Sequence, residues 1–261
     1  MADQEDDVLA IDELVEAGRM REQLAIARRI QRGFLPEAPP GLHGFQIEGW
    51  NQPCHEAGGD YYDFLRLPGG RLAVAIGDVS SHGIGPALLM ASARSALRAL
   101  LQVEDGPGNC LTRLNDVLAA DMLDDHFMTM FAGVLDLGTK MLRYAVAGHE
   151  RPLRLPCDGD EFERLDARGM PLGIHGGLRY SEGEPVLLRP GDLVAFLTDG
   201  MWEATNADSE EFGYERLKES IRRTRDRPAG AILEAVQADV SAFIGDARQY
   251  DDLTLMILKV L

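Results

Sequence analysis

Short apolar runs bounded by glycine and proline dominate this chain from residue 61 onward, and they come in pairs. Residues 61–67 and 71–78 flank Pro68-Gly69-Gly70, and residues 127–136 and 141–147 flank Leu137-Gly138-Thr139-Lys140. Each pair predicts a hairpin. Further strands are expected near 152–155, 186–188, 193–197 and 253–260. Apolar positions three and four apart predict helices near 85–101, 110–122, 214–223 and 229–244. Upstream, residues 8–34 carry a helical pattern in which Leu24, Ala27, Ile30 and Phe34 share one stripe. Ile11, Leu14 and Val15 begin a similar stripe, arginines line the other faces, and Pro36, Pro39 and Pro40 end the helix. Such a helix either packs on its own domain or serves as a linker or dimer helix. Strands in hairpins, without regular βαβ alternation, disfavour a doubly wound parallel sheet. They favour an α+β fold, an antiparallel sandwich with helices packed outside.

Bulk properties narrow the function. The 261 residues suffice for a large core, and 45% hydrophobic with 26% charged residues is an ordinary globular balance. A net charge of −17 argues against nucleic acid as a main partner, because phosphate would be repelled over most of the surface. A phosphorylated substrate meets the same repulsion, which cations at a site would reverse locally. Cys54, Cys110 and Cys157 are too scattered for a disulfide framework or a zinc site. The acidic start, Asp3 to Asp7, is unlike a signal peptide. A cytoplasmic protein with no membrane partner is expected.

Candidate chemistry lies in four aspartates at the ends of β-prone runs: Asp60, Asp78, Asp199 and Asp251. Strand ends hold carboxylates rigidly, and adjacent glycines let backbone approach a ligand. Carboxylates without cysteine or paired histidines suit hard cations such as Mg²⁺ or Mn²⁺. Each aspartate also has a plainer role open to it, as a loop, cap, turn or solvated residue. Adjacent Asp251 and Asp252 repel unless something cationic relieves them. His82 is the histidine nearest in sequence to Asp78 and is a minor candidate for general acid, with loop ordering the plainer role. His149 is expected to hydrogen-bond within a turn.

The motifs occur in a telling order. Ala57-Gly58-Gly59-Asp60-Tyr61-Tyr62-Asp63, Gly77-Asp78-Val79-Ser80-Ser81-His82-Gly83, Ala147-Gly148-His149, Pro171-Leu172-Gly173, Pro190-Gly191-Asp192, Thr198-Asp199-Gly200 and Asp251-Asp252-Leu253-Thr254 follow one another. In that order they resemble SpoIIE-type (RsbU-like) bacterial serine/threonine protein phosphatases, of the PPM or protein phosphatase 2C superfamily. The likeness runs from about Arg21 to Leu261, and it includes Ile30-Gln31 and Leu35-Pro36 at the helix-to-domain junction.

The resemblance implies a four-layer αββα sandwich over residues 37–261, preceded by an acidic arm and linker or switch helix over residues 1–36. It implies two Mn²⁺ or Mg²⁺ ions, with Asp78 bridging them and the Val79 carbonyl as a further ligand. Asp199 and Asp251 would hold one ion and Asp60 the other, with Asp63 and Asp252 as alternative or supporting ligands. Asp78 and Asp199 then act in catalysis through metal-bound water. The implied substrate is a phosphorylated anti-sigma-factor antagonist of the STAS class, and the apolar stripe offers a homodimer through the N-terminal helix. A catalytically silent phosphoprotein-binding module and a phosphatase of small metabolites are the competing readings. One departure stands out: the family usually has glycine where this chain has Ser81.

Overall fold

The computed structural model describes residues 16, 18–20, 22–36, 41–81, 83–121 and 126–261. Helix α1 (22–32) comes first, then β1 (Phe45–Gln52), β2 (Tyr61–Leu67), β3 (Arg71–Val79), α2 (Ile84–Val103) and α3 (Pro107–Asp121). There follow β4 (Met128–Asp136), β5 (Met141–Ala147), β6 (Leu153–Leu155), β7 (Glu163–Arg164), β8 (Val186–Leu187) and β9 (Leu193–Leu197). The short α4 (Gly200–Glu203), α5 (Gly213–Thr224), α6 (Ala229–Ile244) and β10 (Leu253–Val260) complete the chain.

Two five-stranded sheets form, in the orders β1-β10-β9-β6-β7 and β2-β3-β4-β5-β8, with every strand pair antiparallel. The period-two alternation of side chains sorts each strand between two cores. In β2 and β3, Tyr62, Phe64, Leu72, Val74 and Ile76 fill the space between the sheets, while Tyr61, Leu67, Ala73 and Ala75 face α2 and α3. In β10, Met256, Leu258 and Val260 point to the inter-sheet core, and Leu253, Leu255 and Ile257 point to α5 and α6. The rings of Phe131 and Phe196 meet across the sheets at 5.2 Å. Each fully buried side chain of this size contributes about 1.5–3 kcal/mol. The result is the αββα sandwich, helices outside and two sheets within.

α2 buries Met90, Ala93, Leu97 and Leu101 at helical spacing. It is long and apolar enough to cross a bilayer, but that stripe packs on the β2–β3 sheet. The expected helix over 110–122 begins three residues earlier, at Pro107. β1, β7 and α4 were not expected from the sequence. β1 carries Gly49, Asn51 and Gln52, which weaken a strand signal. Gly49 is needed there because a Cβ would lie 2.3 Å from the Tyr62 ring.

The topology sends four chain segments to one end of the sandwich. Tyr61 at the start of β2 pairs with Gly77 near the end of β3. In the other sheet, Leu197 at the end of β9 pairs with Leu255 near the start of β10. The motifs holding Asp60, Asp78, Asp199 and Asp251 therefore meet where two strand starts and two strand ends converge.

Candidate functional site

Asp60 sits at the hinge of the two sheets. Its carboxylate is buried and accepts hydrogen bonds from Thr198 Oγ1, at 2.8 Å, and from Thr254 Oγ1. Both threonines belong to the opposite sheet or its extension, so one carboxylate from the β2 side is gripped from the β9–β10 side. Burial pushes Asp60 well up, and the charges of Asp78 and Asp252 push it further. Asp78 is raised to about 8, by burial first and then by Asp199, Asp251 and Asp252, while a hydrogen bond from Asp60 partly offsets this. No in-chain cation stands among the strongest influences on these two carboxyls, so their repulsion is left for something else to relieve.

The glycines beside them make the approach possible. A Cβ on Gly58 would lie 1.8 Å from Asp252 Oδ2, and one on Gly59 would lie 2.5 Å from the Val79 carbonyl oxygen. Val79 itself is fully buried, and its N–H donates to the Gly59 carbonyl at 3.3 Å. The expected ligands Asp60, Asp78 and the Val79 carbonyl are thus brought against one loop.

Asp199 follows β9 and caps α4, its Oδ1 accepting from the Gly200 N–H at 3.0 Å. Burial raises its pKa despite that bond. Asp251 is exposed at the lip and accepts from the Asp252 N–H at 2.7 Å. Asp252 is buried behind it and accepts from the Cys54 N–H at 2.8 Å and the Asp60 N–H at 3.5 Å. It braces the loop that presents Asp60, which fits a supporting part.

Asp63, expected as an alternative or supporting ligand, is paired within the protein. It lies on the helix-facing side of β2, and its carboxylate takes both Arg98 Nη2, at 2.8 Å, and the Tyr61 hydroxyl, at 2.7 Å. That is a structural ion pair to α2. His82 lies outside the described residues. His149, expected in a turn hydrogen bond, is instead buried with Nδ1 2.8 Å from Thr129 Oγ1. Ser81 holds φ 73°, the left-handed region that glycine adopts freely, at a cost of roughly 1–2 kcal/mol.

A pocket of about 120 Å³ opens between Asp78 and Asp199, with Thr129, Glu150 and Trp202 on its walls. A cleft of about 170 Å³ next to it is lined by Asp251, Gly200 and Glu203, whereas the one of about 360 Å³ between α3 and Gly177–Arg179 includes none of these aspartates. Among the described residues no three acidic, histidine or cysteine side chains form a closed ligand set. The donors are hard oxygens all the same, and Mg²⁺ commonly completes its shell with waters. The donor chemistry, with mutually raised carboxyls and glycine-made access, therefore fits a divalent cation.

Gln31 on α1 is a site neighbour that sequence reasoning missed. Its amide donates to the Gly58 carbonyl at 2.6 Å and accepts from the Gly58 N–H at 3.1 Å. Phe34 follows, with the Arg94 guanidinium 5.1 Å above its ring. The sequence signal at this position is Ile30-Gln31 at the helix-to-domain junction, which does not say what the amide meets.

Comparison with known proteins agrees with this geometry. The chain is 29% identical over 269 residues to Protein IcfG of Synechocystis, covering 93% of this chain and 42% of that protein. It is 26% identical over 242 residues to Phosphoserine phosphatase RsbU of Bacillus subtilis, covering 92% and 70%. The SiaA-PP2C domain of Pseudomonas aeruginosa has the same fold, with a TM-score of 0.81 at 24% identity over 94% of this chain and 99% of that one. RsbX in complex with magnesium shares it at a TM-score of 0.65 and 13% identity, over 86% and 99%. The family described as Stage II sporulation protein E (SpoIIE) matches residues 68–261. With two antiparallel sheets between helix layers and the aspartate motifs gathered at one rim, the chain belongs to the SpoIIE family and has its PP2C-type fold.

Proposed function

We propose that this protein is a metal-dependent protein serine/threonine phosphatase, acting on a phosphorylated anti-sigma-factor antagonist of the STAS class in bacterial signalling. The observation that carries the reading is the Asp60–Asp78 pair, one buried and one half-buried, both raised by desolvation and by neighbouring carboxylates at the rim where the sheets meet. Similarity to Phosphoserine phosphatase RsbU supports the reaction, and the magnesium complex of RsbX supports a divalent cation. Asp60, Asp78, the Val79 carbonyl, Asp199 and Asp251 would hold two Mn²⁺ or Mg²⁺ ions. Such ions supply an activated water and neutralise phosphoryl oxygens.

The chain's own residues do the rest. Thr198 and Thr254 fix the Asp60 carboxylate, and Asp252 braces its loop. The pocket beside Trp202 and Glu150, about 120 Å³ in volume, is where a phosphorylated side chain would enter. The α1 helix is the control element in this reading, because Gln31 grips the glycine two residues before Asp60. Exposed Ile26 and Ile30 on the same helix leave an apolar face for a second copy.

Hydrolysis of a phenyl phosphate ester and of a phosphoserine STAS protein, each with Mn²⁺, Mg²⁺ or chelator, tests the proposal. Turnover that needs added metal, and favours the phosphoprotein, is expected. Full activity after exhaustive chelation would sink the metal role. Tight phosphoprotein binding without turnover would favour a silent binding module, and faster hydrolysis of small phosphorylated metabolites would move the substrate class.

A further inference from the structure

The inference rests on the metal reading above and concerns what fixes the distance between the two carboxylate-bearing rims. His149 follows Gly148, whose φ of 67° and contact with Pro171 demand glycine: a Cβ there would lie 2.5 Å from Pro171 Cγ. The turn delivers the imidazole into the sandwich, where it is 7% exposed.

On one side Nδ1 lies 2.8 Å from Thr129 Oγ1. Thr129 is on β4, paired directly with Asp78 on β3, and its hydroxyl is also 3.5 Å from the Asp78 carbonyl. On the other side His149 shares a pocket wall with Asp199, and the Leu197 backbone, two residues before Asp199 in the other sheet, acts on the ring against the effect of burial. Nε2 completes no hydrogen bond of normal geometry there, although it is shut away from solvent. Burial pushes the imidazole down to about 4, so at neutral pH it is uncharged, with one N–H and one lone pair. With Nδ1 accepting, the single Thr129 hydroxyl proton goes to the imidazole and not to the Asp78 carbonyl, and the Nε2–H faces the buried side without a hydrogen-bond partner.

We propose that His149 is a positioning residue, a neutral strut between the sheets that ties the Thr129–Asp78 strand pair to the Leu197–Asp199 strand end. An incompletely bonded buried nitrogen costs about 1–3 kcal/mol, which a well-packed apolar residue would avoid. The placement explains the cost: the ring is a polar part of the pocket wall, between the Asp78 side and the Asp199 side. Partners of this kind, one step removed from a metal's ligands, change metal affinity by about 10–100-fold when removed.

The test is Mn²⁺ binding by the full chain, measured calorimetrically without substrate, for wild type, Thr129→Val, Thr129→Ser, His149→Phe and Thr129→Val/His149→Phe. Melting in chelator is followed in parallel. Thr129→Val and His149→Phe should each weaken binding about tenfold. Thr129→Ser, which keeps the hydroxyl, should stay within about twofold of wild type, and the double variant should be no worse than the poorer single one. Wild-type affinity in both single variants would overturn the proposal. So would equal losses in Thr129→Val and Thr129→Ser, or fully additive losses in the double variant. If His149→Phe does not fold, the Thr129 pair decides alone. A wild type that binds no Mn²⁺ would overturn the metal reading itself, whereas binding that no substitution changes overturns only the strut.

Discussion

Asp192 and Asp78 both follow a glycine and both sit at the margin of a strand, yet their surroundings oppose each other. Asp192 has no exposed surface. Burial pushes it up, but the Arg189 N–H, the Arg154 guanidinium and the Cys157 N–H outweigh that and hold it below the usual carboxylate range. Asp63 is likewise matched, by Arg98. Asp78 and Asp60 have aspartates and threonine hydroxyls where those residues have arginine. A Gly-Asp motif is therefore structural where the chain supplies its own cation. It becomes a candidate reaction site where the chain leaves that charge to be brought from outside.

The sharpest way to break this contrast is to neutralise one member of each class. Asp78→Asn should lower turnover at least about 100-fold, roughly 3 kcal/mol of transition-state stabilisation, while melting in chelator holds or rises as repulsion is relieved. Asp192→Asn should do the reverse: about 3 kcal/mol of stability lost, because Arg154 loses its buried partner and keeps only the more exposed Glu163. Turnover per folded molecule should stay near wild type. Melting curves and metal-supplemented assays on both variants check this, and an Asp78→Asn enzyme of normal rate would remove Asp78 from the site.

The pH dependence of stability sharpens the contrast. The raised Asp78 binds a proton on folding, so its contribution is complete below about pH 3.8 and is lost as pH rises through about 8. Asp192, held low, contributes above the ordinary carboxylate value and is lost as pH falls. His149 is depressed, so its contribution is present above 6.5 and fades as pH drops towards about 4. Between pH 6.5 and 8 the site aspartates dominate. In chelator the melting temperature should fall across that interval, Mn²⁺ should remove the slope, and Asp78→Asn should flatten it. A flat profile in chelated wild type would contradict the unmatched-charge account.

The smallest effects are expected on α1, where neighbouring residues again face opposite ways. Gln31 is turned inward to Gly58, while Ile30 is 55% exposed. Gln31→Ala should cost about 1 kcal/mol through two lost hydrogen bonds and loosen the loop before Asp60. Ile30→Glu should leave melting unchanged and convert a dimer to a monomer in sedimentation. Wild type that sediments as a monomer at high concentration rules out pairing through this face.

The two long hairpins were legible in the sequence because their turns carry proline or glycine and their flanks are short apolar runs. β1 was not, since its polar half and Gly49 make sense only beside the Tyr62 ring. The aspartate motifs were legible as a set, but sorting Asp60 from Asp63 required knowing that Arg98 lies across from β2. Gln31 and His149 were illegible as site neighbours for the same reason. A polar side chain inside a fold is defined by its partner, and Gly58, Thr129 and Leu197 are distant in sequence. The departure at Ser81 could be read as a difference, but only the backbone reveals a non-glycine residue held at positive φ.

Asp251 and Asp252 are chemically identical neighbours, one exposed at the lip and one buried as a brace, and β10 begins at the next residue. What separates them is phase alone. Side chains in extended chain alternate in direction, so shifting this segment by one residue against β9 would exchange the two carboxylates. A one-residue deletion between Gly245 and Tyr250, taken up by such a slip, would erase the site while leaving composition and charge almost untouched. A two-residue change in the same loop would restore the alternation. The centre is thus stored as the reading frame of a single strand, and insertions and deletions in its approach loop threaten it more than most substitutions there.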